Sequence, residues 1–365
     1  MSIISILKTP DYSAAVMADI VERHFAALGI ENDLRPDMRV TVKPNLLAAR
    51  SPETATTTNP ALVRAVIDWL RARGITNITV ADSPAGPFTP AVLKSIYNVC
   101  GLADIPEMNT DTGWQTVQCP DGFKNRTFNI INPIADADFI INLPKLKTHG
   151  MTVMSGAVKN MFGSIPGLQK PEMHYKWPEQ ADFCHMLAEL TLTVKPAVAL
   201  VDAVDGMEGN GPNSGDRIYT GVTFASRDPF TLDRFMADFI ELGDFEMMRE
   251  FDRMGLLKTP ELVGDDVAHV KYRQSDARPL DFTAYVPKLF RKPAKKLFKK
   301  LLKPLPKVDH TKCIGCGKCA ESCPPHIIKI RNRKAHFTSK GCISCFCCQE
   351  MCPVHAIGVK RRVGI

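Results

Sequence analysis

Short apolar stretches alternate with helical patterns over residues 1–242. The apolar stretches suit buried strands, and the stretches between them have apolar positions at helical spacing and often begin at proline or end at glycine. The predicted strands are residues 3–7, 39–43, 77–81, 138–143, 198–201 and 217–225. The predicted helices are residues 13–28, 60–73, 90–99, 151–162, 183–192 and 229–242. This alternation predicts an α/β domain with an open, mostly parallel sheet and helices on both faces.

Polar loops follow four of the predicted strands. Ligands of open α/β sheets bind beyond the carboxyl ends of the strands, so we expect a cleft at this edge. The loop after the strand at 138–143 reads Pro-Lys-Leu-Lys-Thr-His-Gly, and the helix predicted after it carries a Lys-Asn pair near its end. The candidate cleft residues are Lys43, Asn45, Lys145, Lys147, His149, Lys159, Asn160, Asp202 and Asp205.

Three of these candidates form an alternating group. Lys145, Lys147 and His149 occupy every second position, so in an extended chain they point to one side. Lysine binds phosphate or carboxylate groups, and histidine can move a proton near neutral pH. We therefore predict catalytic roles for these three residues, acting on an anionic substrate or on a second cofactor such as a flavin.

Carboxylates follow the strand at 198–201. Asp202, Asp205 and Glu208 could hold a divalent metal ion, or they could neutralise the lysines. The glycine-rich stretch 209–215 has no helical pattern after it, so it is only a weak indication of a phosphate loop.

The C-terminal part of the chain contains two copies of a C-x2-C-x2-C-x3-C-P motif, at 313–324 and 342–353. This spacing is typical of bacterial [4Fe–4S] sites, in which the fourth Cys of each copy closes the other cluster. The first predicted cluster is held by Cys313, Cys316, Cys319 and Cys352, and the second by Cys342, Cys345, Cys348 and Cys323.

Zinc is the alternative for paired cysteines, but a tetrahedral zinc site gives no reason for a third Cys, a fourth Cys and a Pro in each copy. A ninth thiol, Cys347, lies within the second copy. Using it instead of Cys348 would break the spacing, so we interpret it as a packed thiol beside the cluster.

The two copies resemble the two-cluster bacterial ferredoxin domain over residues 308–360, which implies single-electron transfer between clusters. The N-terminal part resembles the domain of unknown function 362 family, whose members often carry a C-terminal ferredoxin domain. The matching segments are residues 43–47, 142–149, 155–167 and 201–206. This resemblance implies an iron–sulfur protein and specifies no reaction.

Length and charge divide the chain into three parts. Its 365 residues, 45% of them hydrophobic, suit a large domain with a small one. The net charge of +7 is unevenly distributed, because residues 1–286 carry 27 Lys and Arg against 36 Asp and Glu, whereas residues 287–307 carry nine basic residues and no acid. We predict an α/β domain at 1–286, a basic amphipathic linker at 287–307 and a ferredoxin domain at 308–365.

The basic linker has two interpretations. Its apolar residues fall on one stripe, so it could lie on an anionic membrane surface, or it could be a linker helix packed on the large domain. Nucleic-acid binding is not favoured, because few aromatic residues accompany the lysines.

These features favour a cytoplasmic iron–sulfur oxidoreductase with a redox partner protein. Cluster thiolates need reducing surroundings, and the sequence shows neither a signal peptide nor an apolar stretch long enough to span a membrane. Two alternatives remain from the sequence. One is an electron carrier whose large domain recognises a partner enzyme, and the other is a maturation factor that uses the clusters as a reductant store.

Overall fold

The computed structural model describes residues 1–119, 122, 124–278, 290 and 301–361. The strands are β1 Ser2–Lys8, β2 Val40–Pro44, β3 Ile78–Val80, β4 Trp114–Gln118, β5 Thr127–Ile131, β6 Phe139–Leu143, β7 Lys145–His149, β8 Val153–Ser155, β9 Val198–Glu208, β10 Asp216–Ser226, β11 Pro260–Gly264, β12 Leu305–Val308, β13 Ile328–Arg331, β14 Lys334–Phe337 and β15 Ile357–Lys360. The α-helices are α1 Ala14–Ala27, α2 Pro60–Ala72, α3 Pro90–Val99, α4 Asn132–Ala135, α5 Ala157–Asn160, α6 Gln169–Lys176, α7 Gln180–Val194, α8 Pro229–Phe239, α9 Glu246–Arg253, α10 Lys318–Glu321 and α11 Cys347–Glu350.

The main sheet has nine strands, with the order β11-β1-β10-β9-β6-β2-β3 and with β7 and β8 attached beside β9. Strands β11 and β1 pair in parallel, and the pairs β9–β6, β6–β2 and β2–β3 are also parallel. Strand β10 is antiparallel to both of its neighbours, β1 and β9. The predicted mostly parallel α/β fold is therefore confirmed. Because β2, β3, β6 and β9 run the same way, their carboxyl ends lie at one edge.

The sheet separates two hydrophobic cores, as period-2 alternation requires. Along β6, Phe139 and Ile141 pack with residues of α1, α2 and α3, whereas Ile140 packs with residues of α7 and α8. Helices therefore cover both faces of the sheet and leave its carboxyl edge to the loops.

The prediction of a single helix over residues 151–162 is wrong. The chain instead forms β8, then the single helical turn α5, then a 3₁₀ turn at Met161–Ser164. Asp233 causes the break, because its carboxylate accepts hydrogen bonds from the backbone N–H groups of Ala157 (2.6 Å) and Val158 (3.0 Å) and so starts a new helix there. Gly156 permits this approach, since a Cβ at that position would lie 2.3 Å from Asp233 Oδ1.

The strand predicted at 198–201 is longer than expected. Strand β9 continues to Glu208, because β10 pairs along it as far as the Asp216–Glu208 pair. Asp202 and Asp205 therefore lie within a strand and not in a loop.

Residues 301–361, here called the ferredoxin region, form two small antiparallel sheets and two short helices. Strand β12 pairs with β15, β13 pairs with β14, and a small core forms around five of the cysteines. Strand β12 overlaps the end of the predicted linker, whereas residues 287–289 and 291–300 lie outside the described residues. The three-part domain division stays a prediction. Within the described part of the chain, no helix combines the length and apolar character that crossing a bilayer requires.

Candidate functional site

A cavity of about 70 Å³, here called the cleft cavity, lies between the carboxyl edge of the sheet and the ferredoxin region. Its wall combines cationic and imidazole groups of the α/β domain with a segment of the second cysteine motif. The α/β domain contributes Asn45, Lys147, His149, Lys159, Asn160, Lys170 and His174, and the ferredoxin region contributes Cys347 and Glu350. The sequence-based expectation of a cleft at this edge thus corresponds to a real cavity, but its second wall comes from the other part of the chain.

Lys147 is fully buried, and no carboxylate lies within ion-pair distance of it among the described residues. Its Nζ donates to Asn45 Oδ1 at 2.6 Å and to the Thr56 carbonyl at 2.7 Å, which leaves one of its three donors for another partner. Burial, with a smaller contribution from the charge of Lys159, lowers the pKa of Lys147 to about 7. This lysine can therefore gain or lose a proton near neutral pH.

Lys159 lies over the ring of Phe162, with Nζ 4.6 Å from the ring centroid. Within the described residues its ammonium group has no hydrogen-bond acceptor. Burial lowers the pKa of Lys159, and Glu350 acts in the opposite direction. Its three N–H donors are thus open to a ligand.

Lys170 differs from the other two lysines of the cavity wall. Its Nζ donates to Ser83 Oγ (3.0 Å), to the Pro84 carbonyl (3.2 Å) and to the Ile165 carbonyl (2.8 Å). All three donors are used within the protein, so Lys170 fixes the loops around the cavity.

The hydrogen bonds of His149 determine its tautomer. Nδ1 accepts from the backbone N–H groups of Met151 (3.0 Å) and Thr152 (3.2 Å), so the proton of the neutral ring is on Nε2. Burial and the neighbouring charge of Lys159 hold the pKa of His149 well below its usual range. His149 is therefore a neutral N–H donor, which differs from the sequence-based expectation that it moves a proton near neutral pH.

Several buried polar atoms at the cavity have no hydrogen-bond partner. They are His149 Nε2, His174 Nδ1 and Glu350 Oε1, where the His149 and Glu350 atoms are 3.4 Å apart. Because His149 is neutral, this last contact is not an ion pair. Buried polar groups are almost always paired, so these atoms indicate a place for a bound polar molecule.

Two of the predicted cleft lysines instead neutralise buried carboxylates. Lys43 Nζ lies 2.7 Å from Asp82 Oδ1, and the two side chains are 0% and 3% exposed. Lys145 Nζ lies 2.9 Å from Asp202 Oδ2 and also donates to the Tyr12 hydroxyl at 2.8 Å. Neither lysine lines the cavity, so the predicted substrate-facing roles of Lys43 and Lys145 find no geometric basis.

The other carboxylates of β9 are also paired. Asp205 Oδ1 lies 2.9 Å from Arg217 Nε, and Glu208 lies 3.6 Å from Arg273 Nε. No group of three or more His, Cys, Asp or Glu side chains in the described ranges is arranged to hold a single metal ion. Of the two interpretations drawn from the sequence, charge neutralisation fits Asp202, whereas Asp205 and Glu208 neutralise arginines.

The eight motif cysteines line two separate apolar voids in the ferredoxin region. Cys313, Cys316, Cys319 and Cys352 line the first void and form the first thiol group, and Cys323, Cys342, Cys345 and Cys348 line the second void and form the second thiol group. This is the crossed grouping predicted from the spacing. Backbone N–H groups of Ala335 and Ala356 donate to Cys313 Sγ (3.4 Å) and Cys352 Sγ (3.2 Å), which suits thiolate ligands of a cluster. The ligand assignment itself stays a proposal.

The ferredoxin region is held against the sheet edge by a few polar contacts. Arg50 donates to the carbonyls of Pro353 (3.0 Å) and Cys352 (3.1 Å), and Asn213 Nδ2 donates to the Glu350 carbonyl (2.5 Å). These bonds position helix α11, so that Cys347 faces the cavity while the adjacent Cys348 faces the second void.

Sequence reasoning missed Lys170, His174, Arg50, Asn213 and Glu350. The spacing of Lys170 and His174, i and i+4, was a usable signal for one helix face, but helix α6 was not predicted. No pattern marks the other three, because their positions follow from the docking of the ferredoxin region.

Two family models match the chain. The model described as Domain of unknown function (DUF362) matches residues 40–238, and the model described as 4Fe-4S dicluster domain matches residues 312–356.

Individual proteins match to different extents. A thylakoid-associated protein of Synechocystis sp. is 31% identical over 262 residues, which cover 70% of this chain and 80% of the relative. Ferredoxin-2 of Desulfomicrobium norvegicum is 50% identical over 28 residues, which cover 8% of this chain and 48% of the ferredoxin. The solved lactate racemase apoprotein of Thermoanaerobacterium thermosaccharolyticum matches with a TM-score of 0.41 and 14% identity, over 65% of this chain and 57% of that one.

Proposed function

The chain belongs to the family described as Domain of unknown function (DUF362) and carries a 4Fe-4S dicluster domain, and from this premise we propose that it is an oxidoreductase acting on a small anionic substrate in the cleft cavity. The dicluster domain implies two [4Fe–4S] clusters, which supply single electrons when bound. One observation carries the proposal: helix α11 forms a wall of the cavity with Cys347 and also presents Cys348 to the second thiol group. A substrate bound in the cavity would therefore lie next to the second thiol group, which would hold the electron source.

The charges of the cavity favour an anion. Lys147 and Lys159 face it. Among the described residues, the two carboxylates of its lining are Asp82, which Lys43 neutralises, and Glu350, whose pKa is raised by burial. Burial weakens screening, so an anionic ligand would stabilise both ammonium groups strongly.

The size of the cavity favours a small ligand. About 70 Å³ has room for a few water molecules or a small carboxylate or oxoanion. The second cofactor expected from the sequence, a flavin for example, has no support in a cavity of this size.

Three side chains can share the work of binding and proton transfer. Lys159 supplies charge and open donors, and His149 supplies an N–H donor from Nε2. Reduction of a substrate usually requires protons, and Lys147, with a pKa of about 7, is suited to deliver one. His149 is poorly suited, because its pKa lies far below neutral.

Replacing Lys159 with methionine is expected to weaken anion binding about tenfold to a hundredfold, because a charge-assisted hydrogen bond contributes about 1.5–3 kcal/mol. The measurement is calorimetric titration of the cluster-loaded protein with phosphate, oxalate and pyruvate. His149→Asn should also weaken binding, since it removes the Nε2–H donor. Lys195→Met is the control, because Lys195 is exposed near the opposite edge of the sheet, just before β9.

Unchanged binding in Lys159→Met, or no binding of any of the three anions to the wild-type protein, would contradict this proposal. The sequence-based alternative of an electron carrier with a recognition domain would then be favoured.

Anion affinity is expected to decrease as the pH rises above 7. In the ligand-free protein, Lys147 loses its proton above pH 7, so anion binding must be accompanied by proton uptake. The anion affinity therefore falls by up to about tenfold per pH unit. Lys147→Met should bind anions more weakly and lose this part of the pH dependence. This result would distinguish titration of Lys147 from titration of Lys170, whose pKa is also about 7. A pH profile identical in wild type and Lys147→Met would assign the titration to another group.

We further propose that the basic segment 287–307 allows peripheral contact with anionic membranes, a role supported by its nine basic residues and by the thylakoid-associated relative. Changing Lys295, Lys296, Lys299 and Lys300 to glutamine should abolish co-sedimentation with phosphatidylglycerol vesicles and leave iron content intact. Salt should have the same effect, because exposed charges are screened. If the wild-type protein does not co-sediment, the linker interpretation is favoured.

A further inference from the structure

The first thiol group reaches the protein surface at one point. Cys316 is exposed, whereas Cys313, Cys319 and Cys352 are buried. Next to Cys316, the side chain of Ile314 is 55% exposed. The edge of the first void therefore reaches solvent at Cys316 and Ile314, here called the exposed patch.

Basic residues surround this patch. Lys312 and Lys318 are exposed on either side of it in the chain. Arg331 and Arg333, also exposed, lie at the turn between β13 and β14. That turn packs on the cysteine loop, since a Cβ at Gly315 would lie 2.3 Å from the Arg333 carbonyl oxygen. The loop and the turn thus form one surface, here called the basic face.

Acidic residues are few in this part of the molecule. Residues 308–365 contain ten Lys and Arg and three acids, Asp309, Glu321 and Glu350. The side chain of Glu350 faces the cleft cavity, whereas Glu321 is exposed one turn after Lys318, so only Glu321 and Asp309 oppose the four basic residues of this surface. The basic face therefore has a clear positive excess around an exposed cluster ligand.

We propose that the basic face docks an acidic one-electron carrier protein. In the exchange, one electron passes from the reduced carrier to the chain, so the carrier is oxidised and the chain reduced by one electron, and no bond or proton is transferred. An anionic membrane would also be attracted by the lysines, but a membrane gives no role to an exposed thiol ligand at the centre of the face. The first thiol group extends from Cys316 at this face to Cys352 at the contact with Arg50, so it connects the surface with the domain interface.

This inference is independent of the substrate proposal, because an electron carrier would need the same face. Complementary charge steers protein encounters and raises association rates by about 10- to 1,000-fold, and salt removes the advantage. A charge-reversing variant should therefore be reduced more slowly by an acidic protein donor, whereas its rate of reduction by a cationic small-molecule donor should not decrease.

The test uses the cluster-loaded chain and two reductants, reduced acidic flavodoxin and the methyl viologen radical cation. In the double variant Lys312→Glu/Lys318→Glu, stopped-flow reduction by flavodoxin at low ionic strength is expected to slow at least about tenfold and to lose its salt dependence. Reduction by viologen should stay equal or become faster. The matched control is Arg35→Glu/Lys195→Glu, which makes the same change in net charge near the opposite edge of the sheet. Iron and sulfide content must equal that of the wild type in both variants.

An unchanged flavodoxin rate in Lys312→Glu/Lys318→Glu would overturn the proposal. So would equal slowing in the control variant, because net charge and not the face would then be responsible. If the double variant instead loses only its binding to phosphatidylglycerol vesicles, the face is a membrane contact and the carrier proposal is wrong.

Discussion

Replacing Cys323 with serine is expected to remove about four iron atoms, half of the content implied by two clusters, and to remove them from the second cluster although Cys323 belongs to the first motif. The physical reason is the placement of the side chain. Cys323 lines the same void as Cys342, Cys345 and Cys348, while its motif partners line the other void. The measurement is iron analysis with electron paramagnetic resonance of the reduced protein.

Two reference variants make the assignment decisive. Cys342→Ser should damage the second cluster and Cys316→Ser the first, so the spectrum of Cys323→Ser should match that of Cys342→Ser. Cys347→Ser is the matched control, because this thiol faces the cleft cavity and is expected to leave both clusters in place. A Cys323→Ser spectrum that matches Cys316→Ser would contradict the crossed arrangement.

Replacing Lys43 with methionine is expected to destabilise the α/β domain by about 3–5 kcal/mol, because it leaves the buried carboxylate of Asp82 without its counter-charge. One hydrogen bond to Asp82 remains, from the backbone N–H of Leu46 at 2.9 Å. The double variant Lys43→Met/Asp82→Asn should recover most of the loss, since asparagine is neutral and can still accept that bond.

Thermal unfolding followed by tryptophan fluorescence is the appropriate measurement, because all three Trp residues lie within residues 1–286. The control is Arg39→Met, which breaks the exposed Arg39–Asp138 pair and should have a much smaller effect. If Lys43→Met unfolds like the wild type but no longer binds anions, Lys43 has the substrate role that its position in the sequence first indicated.

The cluster motifs and the fold class were readable from the sequence because both depend on local patterns. The x2 and x3 spacings place three thiols within one short turn, and apolar runs separated by helical patterns are sufficient for a parallel α/β sheet. Strands β2, β3 and β6 appear within one residue of their predicted positions. The helix predicted at 151–162 failed because its actual course depends on Asp233, 76 residues away from Ala157.

The sequence also predicted a cleft at the edge of the sheet where the cavity lies, since the carboxyl ends of parallel strands lie along the same edge. Asn45, Lys147, His149, Lys159 and Asn160 do line the cavity there. The sequence could not say which lysines were available to a ligand, because a lysine's role depends on its partner.

Tertiary structure alone decided those partners. Asp82 and Asp202 neutralise Lys43 and Lys145 from 39 and 57 residues away, whereas the buried Lys147 and the half-buried Lys159 have no paired carboxylate among the described residues. The tautomer of His149 follows from two backbone N–H groups, and Glu350 reaches the cavity through the docking of the ferredoxin region. Residue types and spacings determine which groups a chain possesses, but burial and distance determine their charge and their partners, and these arise only when distant segments pack together.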